Sequence, residues 1–356
     1  MQALQVFAGP RARQRLAERG LQPDDIRVIP AAAGGPKGLV LNPLDRFIFS
    51  RWLPGSTQTV HLLGASIGAW RLASACLDDA DAALARLAQD YIHQHYDVPA
   101  GQRPGAALVS RVFGEGLAAH FGGREAEVLK HPRFRLHVFT SHGRQVLRRE
   151  GRWRTPVGYA GAFFTNLASR RALGAWLERV VFSDPRDALP LPLHGYRTRQ
   201  VGLSAANLAP SILASCSIPF WLQAVHDIPG APPGAYWDGG ITDYHLHLPY
   251  AHMSEGLVLY PHFQPQLVPG WLDKALKHRH RASAWLDNLV LLSPHPDWVR
   301  SLPGAKLPDR QDFKTFADDL PQRVARWQRA VDESARLADE FEALTLVGSV
   351  QALPLP

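Results

Sequence analysis

The sequence predicts an α/β fold with a mainly parallel central sheet flanked by helices on both faces, in three layers. A helical extension follows at the C-terminus. Three observations carry this. Short apolar, β-branched runs recur at 26–30, 59–63, 134–140 and 257–260, each reading as a buried strand. Ala- and Leu-rich stretches at 67–77 and 78–96 alternate with them and carry helical periodicity. Strands alternating with helices give a largely parallel sheet covered on both sides.

Taken in order, 11–20 reads as a short Arg-rich helix. Strand 26–30 runs into the Gly-rich stretch 31–38, where Pro36 and Pro43 discourage a long helix directly after the loop. Strand 59–63 turns through Gly64-Ala65-Ser66-Ile67-Gly68 into helix 67–77. Helix 78–96 places Leu84, Leu87 and Tyr91 near one face, and 99–104 is a turn-rich break. Strand 134–140 alternates cleanly and 179–182 less so; 163–177 between them reads as a helix or a lid. Stretches 185–192 and 228–233 are loops. The stretch 321–344 is strongly helical. Leu320, Val324, Trp327, Val331, Ala335, Ala338, Phe341 and Leu344 fall near one stripe, and Arg323, Arg326, Arg329 and Arg336 take polar positions. Its acidic half favours packing on the core over lying on a membrane.

With 356 residues, 46% of them hydrophobic, the chain reads as one domain, its core at about 22–262 and a mostly helical extension at 263–356. The net charge of +7 suits an anionic membrane surface or an acidic substrate. Nucleic acid is not expected, because the arginines are scattered and no nucleic-acid-binding motif appears. Cys76 and Cys216 make no disulfide framework and read as reduced and buried. The start of the chain lacks a signal-peptide pattern, and no run of about eighteen apolar residues exists. A cytoplasmic protein able to touch a membrane at its periphery is expected.

Three small motifs carry the chemistry. Gly64 and Gly68 flank Ser66 at G-x-S-x-G spacing between a strand and a helix. This is the pattern of a nucleophile elbow, where small neighbours let a strained serine stand exposed at a helix N-terminus, although a Gly-rich turn with an ordinary serine shares it. Gly34, Gly35, Lys37 and Gly38 follow another strand, and consecutive glycines let backbone N–H groups converge on an oxyanion. The spacing fits neither a P-loop nor a dinucleotide fingerprint. Asp238-Gly239-Gly240 offers a carboxylate behind the apolar Tyr236-Trp237 pair, although Asp-Gly is also a turn signal.

In this order the motifs resemble those of the patatin-like phospholipases, Ser-Asp dyad lipid acyl hydrolases. Gly34, Gly35, Lys37 and Gly38 match that family's oxyanion loop, with Ala33 in place of its first glycine. Ser66 matches the nucleophile and Asp238 the base. The segment 213–220 resembles the family's Ala-Ser-x-Ser-x-Pro block. The resemblance spans about 28–248; the tail after Tyr260 matches nothing in it. It implies that Ser66 attacks an ester while Asp238 takes its proton. The N–H groups of Gly34, Gly35 and Ile67 then hold the oxyanion, with no metal or cofactor. Lys37 would stabilise negative charge or bind a lipid phosphate. The substrate is a lipid or another ester.

Alternatives remain open at this stage. The same serine serves an acyltransferase or an intracellular polyester depolymerase. His245, His247 or His262 would complete a Ser-Asp-His triad. Asp243, His245 and His247 alternate, so on a strand they share one face and suggest a metal site, against which stands the lack of any strong ligand spacing. A non-catalytic lipid-binding protein on a degenerate hydrolase fold is the reading without chemistry.

Overall fold

The computed structural model describes residues 1–99 and 102–356. Among the described residues, eleven strands form one mixed sheet: β1 (Leu4–Ala8), β2 (Ile26–Ala31), β3 (Val60–Ala65), β4 (Phe134–Gly143), β5 (Leu177–Ser183), β6 (Thr198–Gly202), β7 (Val225–His226), β8 (Ala235–Asp238), β9 (Leu257–Pro261), β10 (Leu289–Pro294) and β11 (Leu353–Pro354). Their order is β11-β1-β10-β9-β2-β3-β4-β5-β6, with β7 and β8 branching from β4. The centre from β10 to β4 is parallel throughout. The α/β class and the mainly parallel sheet therefore stand as expected.

Alternation along the strands builds two cores. Leu62, Val138, Leu259 and Leu292 point into one, and Leu63, Phe139, Val258 and Leu291 into the other. Helices, including Ile67–Ala75 and Ala80–His93, cover the first face. The second is covered mainly by the turn-rich chain bearing Leu246, Tyr250, Phe263 and Leu267. The Asp79 carboxylate accepts from the Ala82 N–H at 2.9 Å and starts the helix Ala80–His93. The break at 99–104 lies partly outside the described residues, at Ala100 and Gly101.

Four local expectations are corrected. The sheet does not stop at 22–262: β1 and β10 lie beyond those bounds and pair side by side, with Leu4 opposite Pro294. The stretch 163–177 is no single element; a helix runs Arg154–Ala168 and β5 has begun by Leu177. The long C-terminal helix is two, Leu320–Glu333 and Ala335–Thr345, parted at Ser334, whose hydroxyl donates back to the Val331 carbonyl at 2.6 Å. Arg323 is buried rather than on the polar side, because its guanidinium stacks 4.4 Å from the Phe313 ring and 5.0 Å from that of Trp327. No helix among the described residues is long and apolar enough to cross a membrane.

Candidate active site

Register brings Ser66 and Asp238 together. β3 runs parallel to β4 and ends with Ala65 opposite Phe139. β8 runs antiparallel along the same edge of β4 and ends with Asp238 opposite Thr140, the next residue. The two strands therefore meet nose to nose, and the residues at their tips face each other. The Ser66 hydroxyl donates to Asp238 Oδ2 at 2.7 Å.

Ser66 has φ 55° and ψ −132°, a conformation that costs a non-glycine residue about 1–3 kcal/mol. Its neighbours make the turn possible. A Cβ on Gly68 would stand 2.0 Å from the Ala31 carbonyl oxygen, and one on Gly64 2.4 Å from Ala69 Cα. The elbow helix is thus pressed against the start of the Gly-rich loop, as only glycine allows. Ser215 braces the strained serine. Its hydroxyl accepts from the Ser66 N–H at 2.8 Å and donates to the Phe139 carbonyl at 2.7 Å. The same segment holds the aspartate, since the Asp238 N–H donates to the Ser217 carbonyl and the Gly239 N–H to that of Ser215.

Asp238 is 5% exposed and Ser66 3%. Burial pushes the Asp238 carboxyl above its ordinary range. Opposing that, in falling order, are Arg310, the Ser66 hydroxyl, the Gly240 N–H and Lys274. The Gly240 N–H donates to Asp238 Oδ1 at 2.7 Å, and the Ser141 hydroxyl to the Asp238 carbonyl at 2.9 Å. A short helical turn, Gly240–Asp243, follows, pinned by a buried pair between the Asp243 carboxylate and Arg179 of β5.

The Gly-rich loop closes on both elements. Gly35 has φ 58°, which favours glycine. A Cβ on Gly240 would lie 2.6 Å from Ala33 Cβ, and one on Gly38 3.6 Å from Ile67 Cγ2. Ala33 fits because its φ is not positive, but its N–H already donates to the Tyr244 carbonyl at 2.9 Å. Among the described residues the N–H groups of Gly34, Gly35 and Ile67 donate to no protein acceptor. Lys37 is half-buried, its Nζ 5.4 Å from the Phe263 ring centre, and burial lowers its pKa. A buried bidentate pair, Arg71 with Asp45 at 2.8 Å for both bonds, ties the elbow helix to the helix Asn42–Phe47 beyond the loop.

The histidines fall elsewhere. Asp243, His245 and His247 share no strand face, because the chain after Gly239 coils into a helical turn and then a loop. His245 Nδ1 accepts from the Val268 N–H, His247 Nε2 pairs with the Ser283 hydroxyl, and His262 Nδ1 pairs with the Gln264 carbonyl at 2.6 Å. None of them bonds Ser66 or Asp238. Burial pulls His247 down to about 4 and His262 to about 3, and His245 well below its ordinary value. Asp243 is engaged by Arg179, and no cluster of three His, Cys, Asp or Glu side chains suited to a metal occurs among the described residues.

Sequence reasoning missed Arg310 and Lys274 beside the dyad, the Ser141 contact and the Arg179–Asp243 anchor. Ser215 was visible only as part of a resembling block. The fold and site together define a mixed α/β protein with a serine and a buried aspartate in direct hydrogen bond at the C-terminal edge of the parallel strands. No protein-family model matches the sequence, and no curated protein matches it. Among solved structures, the crystal structure of VipD from Legionella pneumophila is similar over 95% of this chain and 70% of that one, at a TM-score of 0.34 and 11% identity. So loose a likeness adds no argument to the geometry.

Proposed function

We propose that the protein is a serine acyl hydrolase that cleaves carboxylic esters of lipids through a Ser66-Asp238 dyad. The 2.7 Å hydrogen bond from a conformationally strained serine to a buried carboxylate carries this reading. Asp238 accepts the Ser66 proton as Oγ attacks the ester carbonyl carbon. The oxyanion is met by the Gly34, Gly35 and Ile67 N–H groups. The protonated aspartate then gives its proton to the leaving alkoxide, which departs as the alcohol. Water, deprotonated by Asp238, attacks the acyl-serine; Ser66 recovers its proton and the carboxylic acid is released. The chain's resemblance to the patatin-like phospholipases agrees with each role.

The lipid character rests on the surface around the dyad. Tyr159 packs edge-on against Trp237, the residue before Asp238, and against Phe220. Phe220 is 59% exposed and Phe164, on the same helix as Tyr159, 68%; Trp153, Val157 and Trp221 are exposed as well. Arg152 lies over Trp153 and Lys314 over Trp221. Exposed aromatic side chains rimmed by cations suit an anionic lipid surface.

The test is turnover of short- and long-chain p-nitrophenyl esters with fluorophosphonate labelling, for wild type and Ser66→Ala. Labelling and turnover that vanish together in Ser66→Ala are expected. A wild-type protein that neither labels nor turns over, with or without anionic vesicles, sinks the enzymatic reading and leaves a lipid-binding protein. Acyl transfer to an added alcohol in preference to water makes it a transferase instead.

A further inference from the structure

Three cations stand around the dyad outside any ion pair among the described residues; Asp238 itself acts on Arg310 and Lys274, and Asp309 on Lys37. Lys306 takes both Asp309 and Asp312, which leaves Arg310 without an ion pair or a side-chain hydrogen bond among the described residues. Its Nε lies 3.0 Å from where a Cβ on Gly35 would stand, so the guanidinium lies against the Gly-rich loop. Lys274 Nζ sits 4.3 Å from the centre of the Tyr244 ring. That ring lies 3.2 Å from the Cβ position of Gly240, which is itself 2.8 Å from Asp238 Oδ1. Lys37 Nζ is over Phe263, whose ring occupies the place of a side chain on Gly34. Lys274 and Lys37 likewise form no ion pair among the described residues.

We propose that Arg310, Lys274 and Lys37 form an anion subsite beside Ser66 that selects esters carrying a phosphate group. The proposal deepens, and rests on, the reading of Ser66 and Asp238 as an ester-cleaving dyad. Lys37 and Arg310 are half-buried, and Lys274 is exposed, its ammonium laid against the Tyr244 and Trp271 rings; like charges gathered in this way repel one another, and an anion held among them relieves that cost. The strain registers on the lysines. Loss of hydration against the neighbouring rings, then Arg310 and Lys37, pull Lys274 down to about 8 against the opposing pull of Asp238, and burial lowers Lys37 against that of Asp309. One planar guanidinium with two ammonium groups matches the several oxygens of a phosphate better than a single carboxylate. A phospholipid headgroup and free phosphate share this chemistry.

Two arms separate the sources. In the first, inorganic phosphate is titrated calorimetrically into Ser66→Ala protein and into the same protein carrying Arg310→Gln or Lys274→Gln. Phosphate affinity is expected to fall about tenfold or more with either change. In the second, enzyme with Ser66 intact is given dibutyroyl-glycerophosphocholine below its micellar concentration, and tributyrin. The ratio of kcat/KM for the phosphodiester over the neutral ester is expected to fall about tenfold in Arg310→Gln. Thermal melts verify folding, and if Arg310→Gln does not fold, Lys274→Gln carries both arms. Phosphate binding without a change in the ester ratio overturns the substrate assignment. Tributyrin cleavage with no phosphate binding overturns the subsite and leaves the dyad standing. Phosphate binding lost in Arg310→Gln, in a protein that cleaves no ester, upholds the anion site and refutes the hydrolase.

Discussion

Asp238→Asn tests the chemistry at the atom that matters. The side chain is nearly isosteric, so its fit beside Gly240 is kept. The hydrogen bonding is not. Asp238 receives two donors, the Gly240 N–H on Oδ1 and the Ser66 hydroxyl on Oδ2. An asparagine has one oxygen and one NH2 group. The Gly240 N–H cannot turn away, so the oxygen must face it, and the NH2 must face Ser66 Oγ. Ser66 then accepts a hydrogen bond where it formerly gave one, and its proton has no base. General-base catalysis contributes about 10²–10⁴-fold, so turnover should fall by that factor, a barrier rise of about 3–5 kcal/mol. Stability should hold, since a buried charge is removed while both hydrogen bonds persist, the one with Ser66 reversed. The assay is p-nitrophenyl butyrate turnover beside a thermal melt, with His245→Asn and His262→Asn in parallel. Asp238→Asn within tenfold of wild type, with a histidine variant inactive, would refute the dyad.

Other consequences follow from the same contacts. Gly68→Ala forces a methyl group against the Ala31 carbonyl, 2.0 Å from its ideal position; a loss of about 1–3 kcal/mol in urea unfolding and slower fluorophosphonate labelling are expected, and normal values for both would contradict the close approach. Arg71→Leu strands the buried Asp45 carboxylate and should cost about 3–5 kcal/mol, while adding Asp45→Leu should recover most of it; the urea midpoints of the single and double variants decide. Burial holds His61 and His120 at about 4 and His137 at about 3. The unfolded chain binds protons there near pH 6.5 that the folded chain refuses. Stability should therefore be full above about pH 6.5 and fall as pH drops toward 4, and a urea midpoint unchanged from pH 7 to pH 5 would contradict neutral burial.

The local parts of the site were legible because glycine is demanded by geometry that a sequence exposes. Gly64 and Gly68 are where strand and helix touch, and Gly35 is where φ turns positive. The meeting of Ser66 and Asp238 was legible only through resemblance. It depends on β3 and β8 sharing one edge of β4, a register between residues more than 170 positions apart. The strands Leu4–Ala8 and Leu289–Pro294 were missed for a similar reason: each is a short apolar run, and their pairing joins distant parts of the chain. The alternation of Asp243, His245 and His247 places no common face because period two has meaning only on a strand, and the chain there is a helical turn and a loop. Arg323 misled because helical patterning counts charge as polar, whereas a guanidinium between two aromatic rings is at home in a core. Arg310 and Lys274 carry no spacing signal at all among the many cations of this chain.

The balance of charge at Asp238 links specificity to rate. Burial raises the proton affinity of the carboxylate, and Arg310 and Lys274 lower it. A base must be ionised to begin the reaction and basic enough to take the Ser66 proton, so the cations serve the first need and work against the second. A phosphate bound between Arg310 and Lys274 neutralises them and returns basicity to Asp238 at the moment Ser66 is engaged. The sign is testable. Activity is lost as pH falls through the Asp238 pKa, and neutralised cations raise that pKa. The acid limb of kcat, which reports the enzyme–substrate complex, should therefore lie at higher pH for dibutyroyl-glycerophosphocholine than for tributyrin. The acid limb of kcat/KM, which reports the free enzyme, should be common to both. In Lys274→Gln the limb for tributyrin should move up toward that for the phosphodiester. Coincident kcat limbs for the two esters in wild type would show that the anion does not reach the charges acting on Asp238.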